Sequence, residues 1–194
     1  MKNSISFITA LCLFLGSVSL FSQSASKLSF SAGIGVLPTF IADDAEVNTP
    51  PLNARLTYQM TPAFSLSAFA GYSSSTSTTP AIISDGQQIL VSNKQTLLGL
   101  RGELKKSISE KFEIYGGAML GYNHSNIREF DKFSGETVVR DPEAPTPFDP
   151  NRPDGELLYS GFVGTTYFVH NKIGVFGEIG YGVSLLNAGI TIKI

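Results

Sequence analysis

The sequence is poor in cysteine, tryptophan and charge, and these shortages remove several classes of protein. Its 194 residues contain one cysteine, Cys12, and no tryptophan. Because Cys12 falls in the leader described below, the rest of the chain has no disulfide, thiolate nucleophile or cysteine metal site. Only 15% of the residues are charged and the formal net charge is −2. The chain therefore lacks the basic field that a nucleic-acid partner requires.

Apolar runs long enough to span a bilayer as a helix are missing after residue 26. The first 26 residues predict a secretory signal peptide, in which Lys2 supplies the positive start and residues 5–20 form the apolar stretch. Cleavage is expected at about residues 22–26, where the small residues are Ser22, Ser24, Ala25 and Ser26. Residues 27–194 then form a single domain, since the chain is short for two.

The remaining sequence alternates apolar side chains with small or polar ones, which is the period of a strand with two different faces. In residues 52–60, for example, Leu56 and Tyr58 alternate with Arg55, Thr57 and Gln59. Such segments lie near 27–40, 51–60, 63–73, 93–106, 111–126, 156–169, 172–183 and 186–194. Short connectors near residues 61–62, 107–110 and 170–172 alternate with long ones at 41–50, 74–92 and 127–155. This pattern predicts an all-β fold, an eight-stranded antiparallel up-and-down transmembrane β-barrel.

Alternation alone leaves open which face points outward, because a soluble lipocalin-type barrel buries its apolar face. Aromatic residues near the strand ends favour the membrane arrangement, since such rings collect at the two headgroup levels. One girdle is expected from Phe30, Tyr58, Phe64 and Phe112, and the other from Phe40, Tyr72, Tyr122 and Tyr181.

The opposite face carries charges that would be costly in hydrocarbon, so we expect them in the lumen. This set, predicted to form a polar network, consists of Arg55, Arg101, Glu103, Lys105, Glu113, Glu178 and Lys193. With a turn at residues 108–110, Lys105 is expected directly opposite Glu113. The network is interpreted as an internal plug of paired charges, with an ion path as the alternative.

The leader, the alternating strands, the glycine-rich inner face and the ending Leu186–Thr191 resemble the outer-membrane β-barrel domain family of OmpX and OmpA-barrel type. The leader end Phe21–Gln23 is similar to leaders common in Bacteroidetes. The resemblance covers the whole mature chain and is one of architecture. It implies a barrel in the outer membrane of a Gram-negative bacterium, with no catalytic activity.

Few residues are candidates for a catalytic site or a metal site. The lipid A deacylase type of outer-membrane enzyme pairs a histidine with a serine, and the nearest match here is His124–Ser125–Asn126. Adjacent side chains of a strand point to opposite faces, so His124 cannot act as the base for Ser125 unless a bulge intervenes. No catalytic residue, cofactor site or metal site is predicted. Asp149, Asp154 and Glu156 could coordinate Ca²⁺, but they lack EF-hand spacing.

Residues 127–155 are the most distinctive connector, with exposed aromatics expected at Phe130, Phe133 and Phe148 and five prolines between residues 142 and 153. Loops held on a rigid scaffold are common binding sites. The partners implied are outer-membrane lipid and, through this segment, a surface protein, a glycan or an envelope complex, and not nucleic acid. The sequence therefore favours a non-enzymatic structural or binding role; a lipid-acting hydrolase and a narrow pore are the alternatives.

Overall fold

The computed structural model describes residues 27–37, 45–78, 81–82, 88–138 and 155–194, and all the regular elements within these residues are β-strands. They are β1 (Leu28–Gly35), β2 (Ala45–Gln59), β3 (Phe64–Ser77), β4 (Ala81–Ile82), β5 (Gln88–Ser107), β6 (Phe112–Asp131), β7 (Gly155–His170), β8 (Ile173–Gly180) and β9 (Leu186–Lys193). No helix in these ranges is long and apolar enough to cross a membrane. The expected signal peptide, Phe40, Phe148, Asp149 and Asp154 lie outside the described residues.

The eight long strands form one closed antiparallel sheet. Consecutive long strands pair with each other, β3 pairs directly with β5, and β1 pairs with β9 to complete the ring. The two-residue β4 adds to the β5 end farthest from the β5–β6 turn. Closure leaves no strand edge unpaired within the ring, which is the condition for a sheet to enter hydrocarbon. The eight-stranded up-and-down barrel predicted from the sequence is confirmed.

The two ends of the barrel differ. At one end, β2–β3, β5–β6 and β7–β8 are joined by tight turns at residues 60–63, 108–111 and 171–172. The amide N–H of Ile108 donates to the Phe112 carbonyl at 2.8 Å and closes the second of them. The connectors at the other end include residues 36–44 and 132–154 and are longer. We call these the short-turn end and the long-connector end.

Parts of the long connectors expected from the sequence belong to strands. Residues 45–50, 74–77, 88–92 and 127–131 continue β2, β3, β5 and β6, respectively. In this region both faces carry polar side chains, so backbone pairing persists without an apolar alternation to reveal it. Ser74 pairs with Lys94, for example, and Lys94 with Asn126.

The expected register at the β5–β6 turn was wrong. The loop contains four residues, 108–111, and Ser107 rather than Lys105 lies opposite Glu113. Lys105 is opposite Tyr115, two positions farther from the turn but on the same face. Its ammonium still reaches Glu113, with Nζ 3.9 Å from Oε1.

Inward-facing glycines allow neighbouring strands to share a narrow interior with large side chains. A Cβ added to Gly33 of β1 would lie 2.6 Å from the Ala188 carbonyl oxygen and 2.8 Å from the Phe176 ring. Because a backbone oxygen cannot move aside without disturbing the sheet, any side chain at this position is destabilising.

Candidate functional site

The outer wall of the barrel is an apolar belt. Its outward-facing aliphatic side chains are between 40 and 70% exposed, whereas Arg101 and Glu178 on the inner face are 3% and 6% exposed. The belt consists of Leu52, Leu56, Leu66, Leu98, Leu100, Leu104, Ile114, Leu120, Val163, Val175, Ile179, Ile190 and Ile192. A soluble protein would not expose a continuous surface of this kind, and a lipocalin-type barrel would enclose it.

The belt has the height of a bilayer core. On β6 its aromatic limits are Phe112 and Tyr122, ten residues apart. At about 3.4 Å per residue and a tilt of about 45°, this corresponds to about 24 Å along the membrane normal, close to the apolar band of about 25 Å in outer-membrane barrels. The fold is that of a transmembrane β-barrel.

The described aromatic residues of the two expected girdles lie on the outer face, near opposite ends of the barrel. Phe30, Tyr58 and Phe112 are exposed and Phe64 is half-buried near the short-turn end, while Tyr72, Tyr122 and Tyr181 are exposed toward the other end. Sequence reasoning missed two exposed tyrosines of β7. Tyr167 pairs with Phe112 in the girdle near the short-turn end, and Tyr159 pairs with Leu120. Both have the outward position in the strand alternation that could have revealed them.

Four charges meet at the centre of the lumen. Glu178 of β8 accepts hydrogen bonds from Arg55 Nη1 at 3.0 Å and from Arg101 Nη1 and Nη2 at 3.1 and 2.7 Å. Glu103 Oε1 lies 3.6 Å from both Arg55 Nη1 and Arg101 Nε. Two arginines and two glutamates balance each other, so the buried group is neutral and its charges are paired, as burial requires.

Two neutral side chains complete this central cluster, and sequence reasoning missed both. The Tyr115 hydroxyl donates to Glu178 Oε2 at 3.1 Å, and the Ser67 hydroxyl donates to Glu103 Oε1 at 3.0 Å. The guanidinium of Arg101 also stacks on Phe162, with Cζ 3.6 Å from the ring centroid. These contacts fix the charges in one arrangement, since each carboxylate has a hydroxyl donor in addition to its arginines.

The other three expected network residues lie between the central cluster and the short-turn end. Lys105 Nζ is 3.8 Å from Glu103 Oε2 and 3.9 Å from Glu113 Oε1. Lys193 of β9 instead places its ammonium 3.7 Å from the centre of the Phe168 ring. The structure therefore brings five of the seven residues into contact around Glu103 and Glu178, with Glu113 joined through Lys105 and Lys193 apart.

An apolar plug closes the lumen on the other side of the central cluster. Its buried members come from strands β5, β6 and β7 and from the β8–β9 connector, and Phe69 and Leu158 pack against them: Leu97, Tyr115, Met119, Phe162 and Val183. The connector folds inward, and the buried Ser184 hydroxyl donates to carbonyl oxygens of Leu37 and Leu186, both at 2.8 Å. Sequence reasoning treated the inward face as polar and missed this plug.

Two small cavities lie within the described part of the lumen. One of about 40 Å³ lies beside Arg55 toward the short-turn end, and one of about 20 Å³ lies between Arg101 and Val183. At about 10–15 Å³ per water, the first has space for about three waters and the second for one. The central cluster lies between the two cavities.

Strands β5 and β6 project beyond the apolar belt. They remain paired from Ser107 and Glu113 at the turn to Ile89 and Asp131 at the far end without a register shift. Their outward face changes from apolar to polar beyond Tyr122, with His124, Asn126 and Arg128 on β6. We call residues 88–97 and 123–131 the projecting strands.

The regular geometry of β6 separates His124 from Ser125. The strand has no bulge at these residues, so His124 is exposed on the outer face while the half-buried Ser125 points to the opposite one. Among the described residues, no three His, Cys, Asp or Glu side chains are grouped so that they could hold a metal ion.

The projecting strands end in an ordered turn that presents an aromatic side chain. The Asp131 carboxylate accepts hydrogen bonds from the backbone N–H groups of Phe133 and Ser134 at 2.9 and 2.7 Å. Gly135 has a φ of 71°, a left-handed conformation that favours glycine. The Phe133 side chain is 80% exposed, whereas Phe130 is half-buried.

Comparison with known proteins finds similarity in structure alone. No family model matches the sequence, and no curated protein matches it. The attachment invasion locus protein Ail of Yersinia pestis, solved with the heparin analogue sucrose octasulfate, aligns at 11% identity over 85% of this chain and 92% of that one, with a TM-score of 0.44.

Two further solved structures align in the same way. The N-terminal β-barrel domain of Pseudomonas aeruginosa OprF has 7% identity over 87% of this chain and 98% of that one, with a TM-score of 0.41. Neisserial surface protein A has 11% identity over 89% and 100%, with a TM-score of 0.40. These proteins are eight-stranded outer-membrane barrels, the fold that the sequence resemblance implied. Identities this low and TM-scores below 0.5 carry no information about function.

Proposed function

We propose that the protein is an integral outer-membrane barrel of a Gram-negative bacterium that acts without catalysis, as a rigid anchor holding the projecting strands and the segment after them at the cell surface. The observation that carries the proposal is the unbroken pairing of β5 and β6 beyond the apolar belt. Paired strands keep their shape outside the membrane, and binding residues are usually held on such rigid supports.

The proposal assigns the long-connector end to the cell surface and the short-turn end to the periplasm, as in bacterial outer-membrane barrels. Replacing one exposed residue with cysteine at each end tests this, because the expected mature chain has no cysteine of its own. Phe133→Cys is expected to react with a membrane-impermeant maleimide on intact cells. Glu110→Cys, in the β5–β6 turn, is expected to react only after permeabilisation. The reverse pattern would contradict the orientation.

Membrane insertion is tested separately by electrophoresis. A folded membrane barrel is expected to resist SDS without heating and to change mobility after boiling. Protein that stays in the soluble fraction and migrates identically in both samples would contradict the proposal, whatever the orientation experiment shows.

Surface binding is proposed to involve Phe133, whose exposed ring lies on an ordered turn and therefore loses little conformational freedom on binding. A photo-crosslinking phenylalanine analogue at position 133 is expected to trap a protein or glycan partner on living cells. The same analogue at the exposed Lys172, in the β7–β8 turn, is the control. Equal products at both positions, or none at position 133, would contradict a partner at this turn.

The geometry gives no support to the two alternatives. A lipid-acting hydrolase would need His124 to reach a nucleophile, and the regular strand directs Ser125 away from it. Expression of the protein is therefore expected to leave lipid A acylation unchanged in mass spectra, with or without His124→Ala. A pore would need an aqueous path, and we expect no steady conductance in planar bilayers from either the native protein or Arg101→Ala.

A further inference from the structure

The lumen beside the short-turn end has more positive than negative charge. Within the central cluster, Arg55 and Arg101 are balanced by Glu103 and Glu178. The cavity of about 40 Å³ between this cluster and the short-turn end is also lined by Lys27, Lys105, Lys193 and Glu113. Three lysines against one glutamate leave a surplus of two positive charges in a space that the barrel wall encloses on its sides.

Lys193 is one of these cations whose charge is incompletely compensated. It is half-buried, and among the described residues no carboxylate lies within 4.0 Å of its ammonium, which is 3.7 Å from the centre of the Phe168 ring. It interacts electrostatically with Glu113 and, unfavourably, with Lys105. Glu113 cannot neutralise both lysines, because it is already 3.9 Å from Lys105 Nζ. An ammonium that is half-buried, incompletely paired and beside a like charge is stabilised when an anion binds next to it.

The neutral groups around the cavity are hydrogen-bond donors suited to an anion. The hydroxyls of Ser29 and Thr166 line it, and Ser29 pairs with Lys193 across the β1–β9 ladder. Thr191 accepts a hydrogen bond from Ser31 at 2.9 Å, which leaves its own hydroxyl hydrogen available. Ammonium and hydroxyl groups approach from several strands, whereas planar carboxylates are preferentially held by the fork of an arginine. The arginines here are occupied by Glu178.

We propose that this mouth of the barrel is a binding site for one tetrahedral oxyanion of the phosphate class, held by Lys193 and Lys105 with hydroxyl groups of the wall. The anion displaces the few waters that the cavity can hold and neutralises the lysine surplus. Inorganic phosphate and a phosphate ester from a headgroup share this chemistry. The proposed function enters this inference only through the orientation of the barrel, which places the site in the periplasm.

The experiment uses the full mature chain, refolded in zwitterionic detergent micelles and checked by its SDS mobility. Inorganic phosphate is titrated at constant ionic strength while the backbone amides are followed by NMR. Saturable shifts at Ser29, Thr191 and Lys193 are expected for phosphate, and none for chloride or acetate at the same ionic strength. Glycerol phosphate separates the two sources: binding comparable to that of phosphate places an ester in the site, and binding of phosphate alone assigns the free ion. Either result supports the proposal.

Variants test the roles of the charged groups. Lys193→Met keeps an unbranched side chain without its charge and is expected to weaken phosphate binding about tenfold, as the loss of one charge-assisted hydrogen bond implies. Lys172→Met, an exposed lysine at the same end, is the matched control and should bind like the native protein. Glu113→Gln is expected to bind phosphate more tightly because it removes the competing carboxylate.

If Lys193 had only a structural role, Lys193→Met would leave the affinity for phosphate unchanged. The proposal is overturned if phosphate causes no saturable shifts. Equal weakening by Lys193→Met and Lys172→Met, or weaker binding by Glu113→Gln, would also overturn it. Failure of the orientation experiment described above would change the compartment of the site but not these results.

Discussion

Removing Glu178 tests whether the central cluster is a buried, charge-balanced group. In the native protein this carboxylate accepts three hydrogen bonds from Arg55 and Arg101 and one from Tyr115. Glu178→Met keeps much of the side-chain volume but leaves two buried guanidinium groups with Glu103 as the one carboxylate of the central cluster. The cluster then changes from neutral to a net charge of +1.

The expected cost follows from that uncompensated charge. Breaking a buried pair by removing one partner typically destabilises a protein by about 3–5 kcal/mol. With a urea slope of about 2 kcal/mol per molar, a loss of about 4 kcal/mol lowers the unfolding midpoint by about 2 M. Removing both partners is less costly, because no charge is left alone. Arg101→Met combined with Glu178→Met is expected to be about 2 kcal/mol more stable than Glu178→Met by itself.

The folded fraction is measured in urea by the mobility of unheated samples in SDS gels and by far-UV circular dichroism, since the chain has no tryptophan for fluorescence. Glu110→Gln, in the exposed β5–β6 turn, is the control and should change stability by less than about 0.5 kcal/mol. If Glu178→Met costs less than about 1 kcal/mol, or if the double variant is the less stable one, the guanidinium groups are hydrated and the central cluster is not the buried group described above.

Three further changes probe the wall and the plug, each followed by urea unfolding in lipid vesicles. Leu100→Arg places a charge at a belt position that is 70% exposed, and is expected to lower the free energy of unfolding by about 2–4 kcal/mol. Thr96→Arg, on the same strand but beyond the belt, is expected to lower it by about 0–1 kcal/mol. Equal losses would mean that the bilayer does not lie at the level of Leu100. Gly33→Ala is expected to cost about 1–3 kcal/mol because its Cβ meets the Ala188 carbonyl, whereas Gly177→Ala, with open space around it, should be nearly neutral; a tolerated Gly33→Ala would show that the strands can separate. Phe162→Ala removes a buried ring of the plug and the support of Arg101, and is expected to cost about 3–5 kcal/mol; a cost below about 1 kcal/mol would mean that the plug is loosely packed.

The strand number and the closed topology could be predicted because the belt imposes a strict alternation within the membrane. An outward residue such as Leu100 must be apolar, whereas its charged neighbour Arg101 must be enclosed. Apolar and polar residues therefore alternate with a period of two in the sequence. Beyond the belt this constraint ends. Arg128 is exposed to water although it lies in the paired strand β6, and the pattern therefore gave no sign that this strand continues beyond residue 126.

The content of the lumen was harder to predict for a different reason. Charged residues on the inner face stood out because hydrocarbon excludes them, whereas an inward Met119 or Phe162 looks like any other apolar residue of a strand. The inward position of Val183 depends on the path of a connector, which has no alternating sequence pattern from which it could be predicted. Pairing geometry was also beyond sequence reasoning, since a turn centred on Glu110 rather than Ser109 moves Glu113 from Lys105 to Ser107.

The ladder between β1 and β9 makes completion of this protein an all-or-none event. Ser31 and Thr191, which are joined by a hydrogen bond across that ladder, lie 160 positions apart along the chain. Until β9 is in place, β1 and β8 each have a row of unpaired backbone groups and an apolar outer surface, and this combination promotes aggregation. On the route to the outer membrane that we propose, the polypeptide must consequently be kept from folding until strands β1 and β9 can meet in lipid.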